Sequence, residues 1–431
     1  MISFVDRKFV IYVGTQTING ILFEKGNKPK PFAPYTLEHR DTQRFFETGK
    51  LCDNYVKALI SAIMSLVDVY EYGREEISIY VTSEFRTTLD ENELIRLKGE
   101  IFSATGVHSF ILSDELENLY IKNLVPACDK ERLILRIMST STNMYCICEN
   151  GNMVRYKVRG VGTSNILSLI PDLRRRISEQ LSDREISDFV EKIKEVIVEK
   201  LQKDHLELPE NRIVIYLGGE IDFLKALSYE LEDNQVFEDC EHPYLLSNES
   251  FFRQSREKVL KKTQKYLNGD SIHLSPKWKT GMKPCTLIAM ALFELLGTEI
   301  IIPSNMKEFY GMHYKNFESL VITGSKRVNG TEIAEWVQYF KKNGVEVYSP
   351  QLDCDEGSGN KILDEVHHLQ AINKCDTLIA CNSNEDGYLG DATLFDIGYA
   401  MAKGKRVITT KKPSQDVFNL IAVEIGVYRK E

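Results

Sequence analysis

The chain has 431 residues, of which 43% are hydrophobic and 27% charged, and a formal net charge of −9. That length exceeds one ordinary core, so two or three domains are expected, and the composition excludes a disordered chain. The acidic balance excludes a general nucleic-acid binder, which needs a basic stripe, and no apolar run reaches the roughly 18 residues of a membrane span. The start, "MISFVDRKFVIYVG", carries no signal-peptide core, and the nine cysteines are scattered without a C-x-x-C pair. Reduced thiols and a cytoplasmic chain are therefore expected. The histidines form no H-x-x-x-H pair, and neither a metal nor another cofactor is expected.

In chain order, "FVIYVG" and "GILFEKG" read as a hairpin joined by "TQTIN". Residues 52–70 carry apolar positions at helical spacing, "EISIYVTS" is a strand, and "DENELIRLKGEIFSAT" is a helix with an acidic first turn. A second hairpin opens at 133 with "LILRIMSTSTNMYCICENGNMVRYKVRGVG". A long helical stretch is predicted over about 165–203, then the strand "RIVIYLGG", helices through "PCTLIAMALFELLG", and the strand "TEIIIPS". Near 315 the pattern restarts as strands alternating with helices of 10–14 residues, the signature of right-handed β-α-β units and a parallel sheet. The expected division is 1–125 and 126–315, two lobes with matching hairpin openings, followed by 316–431.

Glycine at a hairpin tip lets backbone N–H groups approach a phosphate. Two lobes that each open this way imply a phosphate or nucleotide cleft. Over nearly all of 1–315 the chain resembles the exopolyphosphatase / guanosine pentaphosphate phosphatase family. Its segments "VIYVGTQTINGIL" and "LILRIMSTSTNMY" stand where that family has its two phosphate loops. "VRGVGTSNI", "YLGGEIDFLKAL" and "KPCTLIAMALFELLG" followed by "SNMKEFYGMHY" match in order. The resemblance implies a two-lobed actin-like ATPase (ribonuclease H-like) fold. It also implies a degenerate phosphate cleft built from Gly14, Thr15, Glu117, Arg136, Ser139, Thr140, Ser141, Gly218 and Gly219. Where the family has an aspartate before its first glycine, this chain has Tyr12. The second loop's aspartate, three glycines and glutamate become Arg136, Met138-Ser139-Thr140 and Asn143, and the family's glycine and paired glutamates after its serine–glycine stretch become Ser113, Asp114, Leu116 and Glu117. Metal-assisted hydrolysis needs carboxylate oxygens, so these exchanges remove it, whereas Arg136 and the neighbouring hydroxyls can still hold an anion.

In an open parallel sheet, ligands bind beyond the carboxyl ends of the strands. Three segments of the last domain converge there: "VITGSKRVNG", the helix with His367 and His368, and "NEDGYLGDATLFDIGYA". In the first of these Asn329 reads as an N-cap with Glu332 three residues on. Residues 318–412 resemble the nucleoside 2-deoxyribosyltransferase-like family through "ITGSKR", "INKCDTLIAC", the acidic loop, Asp396-Ile397-Gly398-Tyr399-Ala400 and Gly404-Lys405. The resemblance implies a Rossmann-like doubly wound parallel-sheet domain.

Breaking a base–sugar bond builds positive charge on the sugar, which an ionised acid stabilises or traps. Asp396, expected in the first turn of its helix, is the candidate carboxylate, with Asp in place of the family's glutamate. His368 is the candidate acid toward the leaving base. Substrate contacts are expected from Gly324, Ser325, Lys326, Asp386, Gly387, Asp391 and Gly398, the last admitting close packing. The sequence therefore predicts a nucleoside or nucleotide N-glycosidase or deoxyribosyltransferase-like enzyme, with a nucleoside, nucleotide or dinucleotide as ligand. A phosphorylated ligand is expected in the N-terminal cleft, and the chain is expected to be a homo-oligomer. The alternatives are a non-catalytic nucleotide-binding regulator and, second, a polyphosphate or guanosine pentaphosphate phosphohydrolase.

Overall fold

The computed structural model describes the chain outside residues 1–6, 16, 25–29, 33, 38–44, 46–47, 71–75, 108, 126–130, 140, 148–152, 209, 211, 238–240, 275, 308–309, 312–318, 343–344, 354–360, 404, 412, 416–423 and 426–431. The β-branched run at the start forms β1 (Arg7–Val13), antiparallel to β2 (Thr17–Glu24), with Tyr12 opposite Asn19 and Val13 opposite Ile18. Short β3 (Lys30–Pro31) and β4 (Tyr35–Thr36) pair with β2. On the other side β5 (Ile77–Val81) and β6 (Ser109–Ile111) extend the sheet in parallel, in the order β3-β2-β1-β5-β6.

Parallel neighbours need crossovers, supplied here by α1 (Asp53–Val69) and α2 (Glu91–Thr105). Helix α1 buries Tyr55, Leu59, Ile63 and Leu66 against Phe9, Ile11 and Val13. Helix α2 starts where Asp90 accepts a hydrogen bond from the Glu93 amide, and ends at Gly106 in the left-handed region (φ 68°). Helix α3 (Asp114–Lys122) follows β6, with Ser113 as its N-cap.

Residues Leu124–Glu308 form a unit of their own. Strands β7 (Arg132–Ile137), β8 (Ser141–Ile147) and β9 (Met153–Arg159) make an antiparallel meander. The sheet continues from β7 through parallel β10 (Ile213–Leu217) to β13 (Ile300–Ser304), and ends on β12 (Tyr244–Ser247) and β11 (Glu232–Asp233). The continuous helix expected over 165–203 is broken. Pro171 opens a new short helix, and Ser182 and Glu185 form a capping box that starts α4 (Asp183–Lys203). Helices α5 (Glu220–Ala226) and α6 (Pro276–Leu295) also belong to the unit, with shorter helical segments between them. The segment of α6 from Leu287 to Phe293 is wholly buried, which is why it reads as apolar on every side.

The remaining segment, from Phe309, belongs to the same compact unit as Met1–Asn123. It joins that segment through a close backbone contact: a Cβ on Gly311 would lie 1.7 Å from the Tyr120 carbonyl oxygen, so only glycine fits. The buried Arg406 guanidinium stands 5.5 Å from the centre of the Tyr120 ring.

Five strands make the last sheet, all parallel: β14 (Ser319–Gly324), β15 (Glu346–Tyr348), β16 (Thr377–Cys381), β17 (Arg406–Thr409) and β18 (Glu424–Ile425), in the order β15-β14-β16-β17-β18. Alternation along the strands separates two cores. Leu320, Ile322, Val347 and Ile379 pack on Ile333, Trp336 and Phe340 of α7 (Lys326–Lys342). Val321, Leu378 and Val407 pack on Ile372 of α8 (Lys361–Lys374) and on Ile397 and Ala400 of α9 (Asp391–Ala402). Helix α7 therefore covers one face and helices α8 and α9 the other. The protein is a mixed α/β chain.

Candidate functional site

The order of the last sheet reverses between β14 and β16. The loop after β14 leads to α7 on one face, and the loop after β16 leads toward α9 on the other. Loops that part in this way leave a crevice beyond the carboxyl ends of the two strands, the place where open parallel sheets bind ligands. Of the sequence-predicted substrate residues, Gly324, Ser325 and Lys326 follow or end β14, Asp386, Gly387 and Asp391 lie between β16 and the start of α9, and Gly398 lies inside α9. Gly324 ends β14, and a Cβ on it would come within 3.0 Å of the Cys381 carbonyl oxygen, so glycine lets the two strand ends approach. Ser325 is half-buried, and its carbonyl accepts from the Val328 and Asn329 amides; Lys326 is exposed. Asp386 and Asp391 are exposed, and Gly387 is buried in a left-handed turn (φ 66°).

Bonds between elements far apart in sequence fasten both loops. Asn329 donates to the Cys381 carbonyl (2.9 Å) at a kink in α7 instead of capping the helix. Glu332 accepts from the Ser383 amide (3.1 Å) and hydroxyl (2.5 Å), so the expected Asn329–Glu332 capping box is replaced by a bolt to the opposite loop. Asn382, wholly buried at the end of β16, donates to the carbonyls of Gly387 and Lys411 and accepts from the Lys411 amide. No local pattern marks Asn382, because its partners lie up to 29 residues away.

Asp396 and His368 meet on the α8–α9 side of this sheet. His368 Nε2 lies 2.9 Å from Asp396 Oδ1, and Thr323 Oγ1 donates to Asp396 Oδ2 at 2.7 Å. Both side chains are buried, at 4% and 7% exposure. The Tyr348 ring centre lies 6.1 Å from that of the imidazole; among the described residues neither ring nitrogen of His368 makes a hydrogen bond, so the approach of Nε2 to Asp396 is a close contact of the two groups. Thr323 is the group that sequence reasoning missed. Its position in β14 turns it toward α9, opposite in direction to Ile322.

Two expectations are corrected here. Asp396 stands in the second turn of α9, because the helix begins at Asp391 with Gly390 as its N-cap; the positive helix end acts chiefly on Asp391. Gly398 is exposed, and a Cβ on it would meet nothing within 4 Å, so it makes no close packing with the sheet.

The phosphate-loop candidates fall in two units. In the first, the amide of Gly14 donates to the Thr17 carbonyl (2.9 Å), closing the β1–β2 turn, and Tyr55 Oη donates to the Thr15 carbonyl (2.7 Å). Burial drives the Tyr55 hydroxyl far above the usual tyrosine range, so it remains a donor. Tyr12 is buried. Glu117, buried at the start of α3, accepts from the Ser83 amide (2.8 Å) and lies 2.7 Å from the Ser83 hydroxyl, which is also 2.6 Å from Asp114.

In the second unit, Arg136 pairs across β7–β8 with Asn143 and is half-buried. The amide of Met138 donates to the Ser141 carbonyl (2.9 Å). Ser139 is held to Ser164 through both backbone (2.9 Å) and hydroxyl (2.9 Å), with Gly162 packed so closely that a Cβ would sit 2.5 Å from the Ser139 carbonyl. Thr140 lies outside the described residues. Gly218 and Gly219 adopt φ of 131° and 105° between β10 and α5, a turn that favours glycine. They lead into Glu220, whose carboxyl is buried and pushed well above the usual carboxylate range by desolvation.

Among the described residues no three His, Cys, Asp or Glu side chains converge as a metal site requires, and no helix is long and apolar enough to cross a membrane. A groove of about 640 Å³ in the second unit is lined by Asp183, Asn248, Phe252, Arg253 and Arg256, and by none of the candidates.

No family model matches the chain, and no curated protein does. Solved structures do. The Aquifex aeolicus Ppx/GppA phosphatase, in its type II variant, matches with a TM-score of 0.52 at 14% identity, over 72% of this chain and 99% of its own. An exopolyphosphatase from Cytophaga hutchinsonii matches with a TM-score of 0.51 at 14% identity, over 72% of this chain and 96% of its own. At such identities the likeness concerns fold. Most of this chain thus shares the actin-like ATPase type of fold seen in exopolyphosphatases, and the resemblance of residues 318–412 to deoxyribosyltransferases has no counterpart in these matches.

Proposed function

We propose that this chain binds a phosphorylated ligand of the polyphosphate or guanosine pentaphosphate type on its exopolyphosphatase-like part, without the hydrolysis that fold supports elsewhere. The observation that carries this is the exchange of chemistry on a retained fold. By the resemblance read from the sequence, Tyr12 in the first unit and Arg136 in the second each replace a carboxylate of the family; Tyr12 is buried, and Glu117 has its oxygens engaged by Ser83. Arginine and backbone amides suit an anion, whereas a metal-activated water needs free carboxylate oxygens. The test is calorimetric titration of the full chain with polyphosphate and with guanosine pentaphosphate, alongside a phosphate-release assay. Saturable binding without release is the expected result. Release that is lost in Glu117→Gln would replace this reading with a phosphohydrolase.

A second reading concerns the last sheet, taken as a Rossmann-like doubly wound domain with a nucleotide in its crevice. The Thr323–Asp396–His368 cluster favours it, because a carboxylate beside an imidazole is a pair suited to base–sugar cleavage. Thr323 holds Oδ2 of Asp396, and Oδ1 faces His368 Nε2 at 2.9 Å, so in this reading the imidazole is the group that passes a proton to a leaving base. Incubation with a panel of nucleosides and nucleotides, followed by chromatography for free base, tests it: release abolished by Asp396→Ala supports the reading, and no release by the unaltered protein removes it.

A further inference from the structure

We propose that Tyr388 is the stacking platform for the base of a nucleotide held in the crevice of the last sheet; this rests on the second reading above. Tyr388 is 53% exposed on a segment held by several hydrogen bonds. Its backbone is clamped by one side chain: Asn384 accepts from the Tyr388 amide (2.8 Å) and donates to its carbonyl (2.9 Å). Lys411 donates to the carbonyls of Asn384 (3.0 Å) and Glu385 (2.7 Å), and Asn382 anchors Gly387 (3.0 Å). The loop is thus ordered by bonds that, among the described residues, leave the phenol ring without a hydrogen-bond or ring partner.

The facing loop shows the same pattern. Val328 is 60% exposed beside exposed Lys326 and Arg327, on a segment bolted through Asn329 and Glu332 to Cys381 and Ser383. A rigid aromatic on one loop, and an exposed aliphatic residue with two cations on the loop bonded to it, match the parts of a nucleotide, a flat base joined to an anionic phosphate. Asp386, also exposed on the aromatic loop, supplies acceptors for sugar hydroxyls. Stacking suits a ring with no partner of its own, because the base covers apolar surface that water otherwise wets.

The experiment is calorimetric titration of the full chain and its variants with AMP, GMP, CMP and UMP, with ribose 5-phosphate as a base-free control. Tyr388→Ala is expected to weaken nucleotide binding about tenfold or more and to leave ribose 5-phosphate binding unchanged, whereas Tyr388→Phe retains nucleotide binding. Equal nucleotide affinity in Tyr388→Ala and the unaltered chain overturns the stacking role while the crevice reading stands. Failure of the unaltered chain to bind any of the four removes the crevice reading and the stacking with it. An oligonucleotide bound far more tightly than the mononucleotides also overturns the proposal, in favour of a nucleic-acid surface.

Discussion

His368 and Asp396, 28 residues apart in the chain, place Nε2 and Oδ1 2.9 Å from each other with both side chains buried, and the Thr323 hydroxyl lies on the second carboxylate oxygen. Removing the carboxylate leaves the buried Thr323 hydroxyl without its acceptor and the buried imidazole without its neighbouring acid. Asp396→Ala is expected to lower the stability of the chain by about 2–4 kcal/mol, and Thr323→Val by about 1 kcal/mol. Denaturant unfolding followed by circular dichroism measures both.

Two glycines separate packing from helix propensity. Gly162 has no room for a Cβ, with Ser139 and Ser141 backbone atoms within 2.6 Å of where it would lie, so Gly162→Ala should displace the β7–β8 tip and destabilise by more than 1 kcal/mol, on the order of overpacking costs. Gly398 faces open space inside α9, and Gly398→Ala should stabilise by about 0.5–1 kcal/mol. Melting temperatures of the two variants should move in opposite directions.

Lys283, on α6, is wholly buried and its amine donates to the Glu179 carbonyl. Desolvation lowers its pKa to about 8 from the ordinary 10.5. Between those values the unfolded chain binds more protons than the folded one, so stability rises with pH across that window. The gain approaches about 3 kcal/mol at its upper end for this group alone. Unfolding curves at a series of pH values should show the rise, and Lys283→Met should flatten it.

Tyr120 and Gly311 touch through backbone, with no space for a side chain. Gly311→Ala is expected to loosen the packing of Phe309–Glu431 on Met1–Asn123. Faster hydrogen exchange in α3 and β14, with little change in β10, is the measurable outcome.

Local pattern made much of this fold legible. The β1–β2 and β7–β8 hairpins follow from β-branched runs around short polar turns, and the last sheet follows from strands alternating with amphipathic helices. What stayed hidden depends on distant partners or on a single boundary. The start of α9 at Asp391 moved Asp396 one turn inward and changed the physics expected of it. Asn329 and Glu332 form a capping pattern in sequence, yet their side chains turn to Cys381 and Ser383. The joining of the first and last segments into one unit rests on Gly311 and Arg406, which no local periodicity marks.

The most direct measurement is titration of the full chain with polyphosphate while released phosphate is monitored. The account predicts saturable binding that weakens at least tenfold in Arg136→Ala, with no phosphate released above a heat-treated control. Absence of binding, or phosphate release sustained by the unaltered chain, would contradict it.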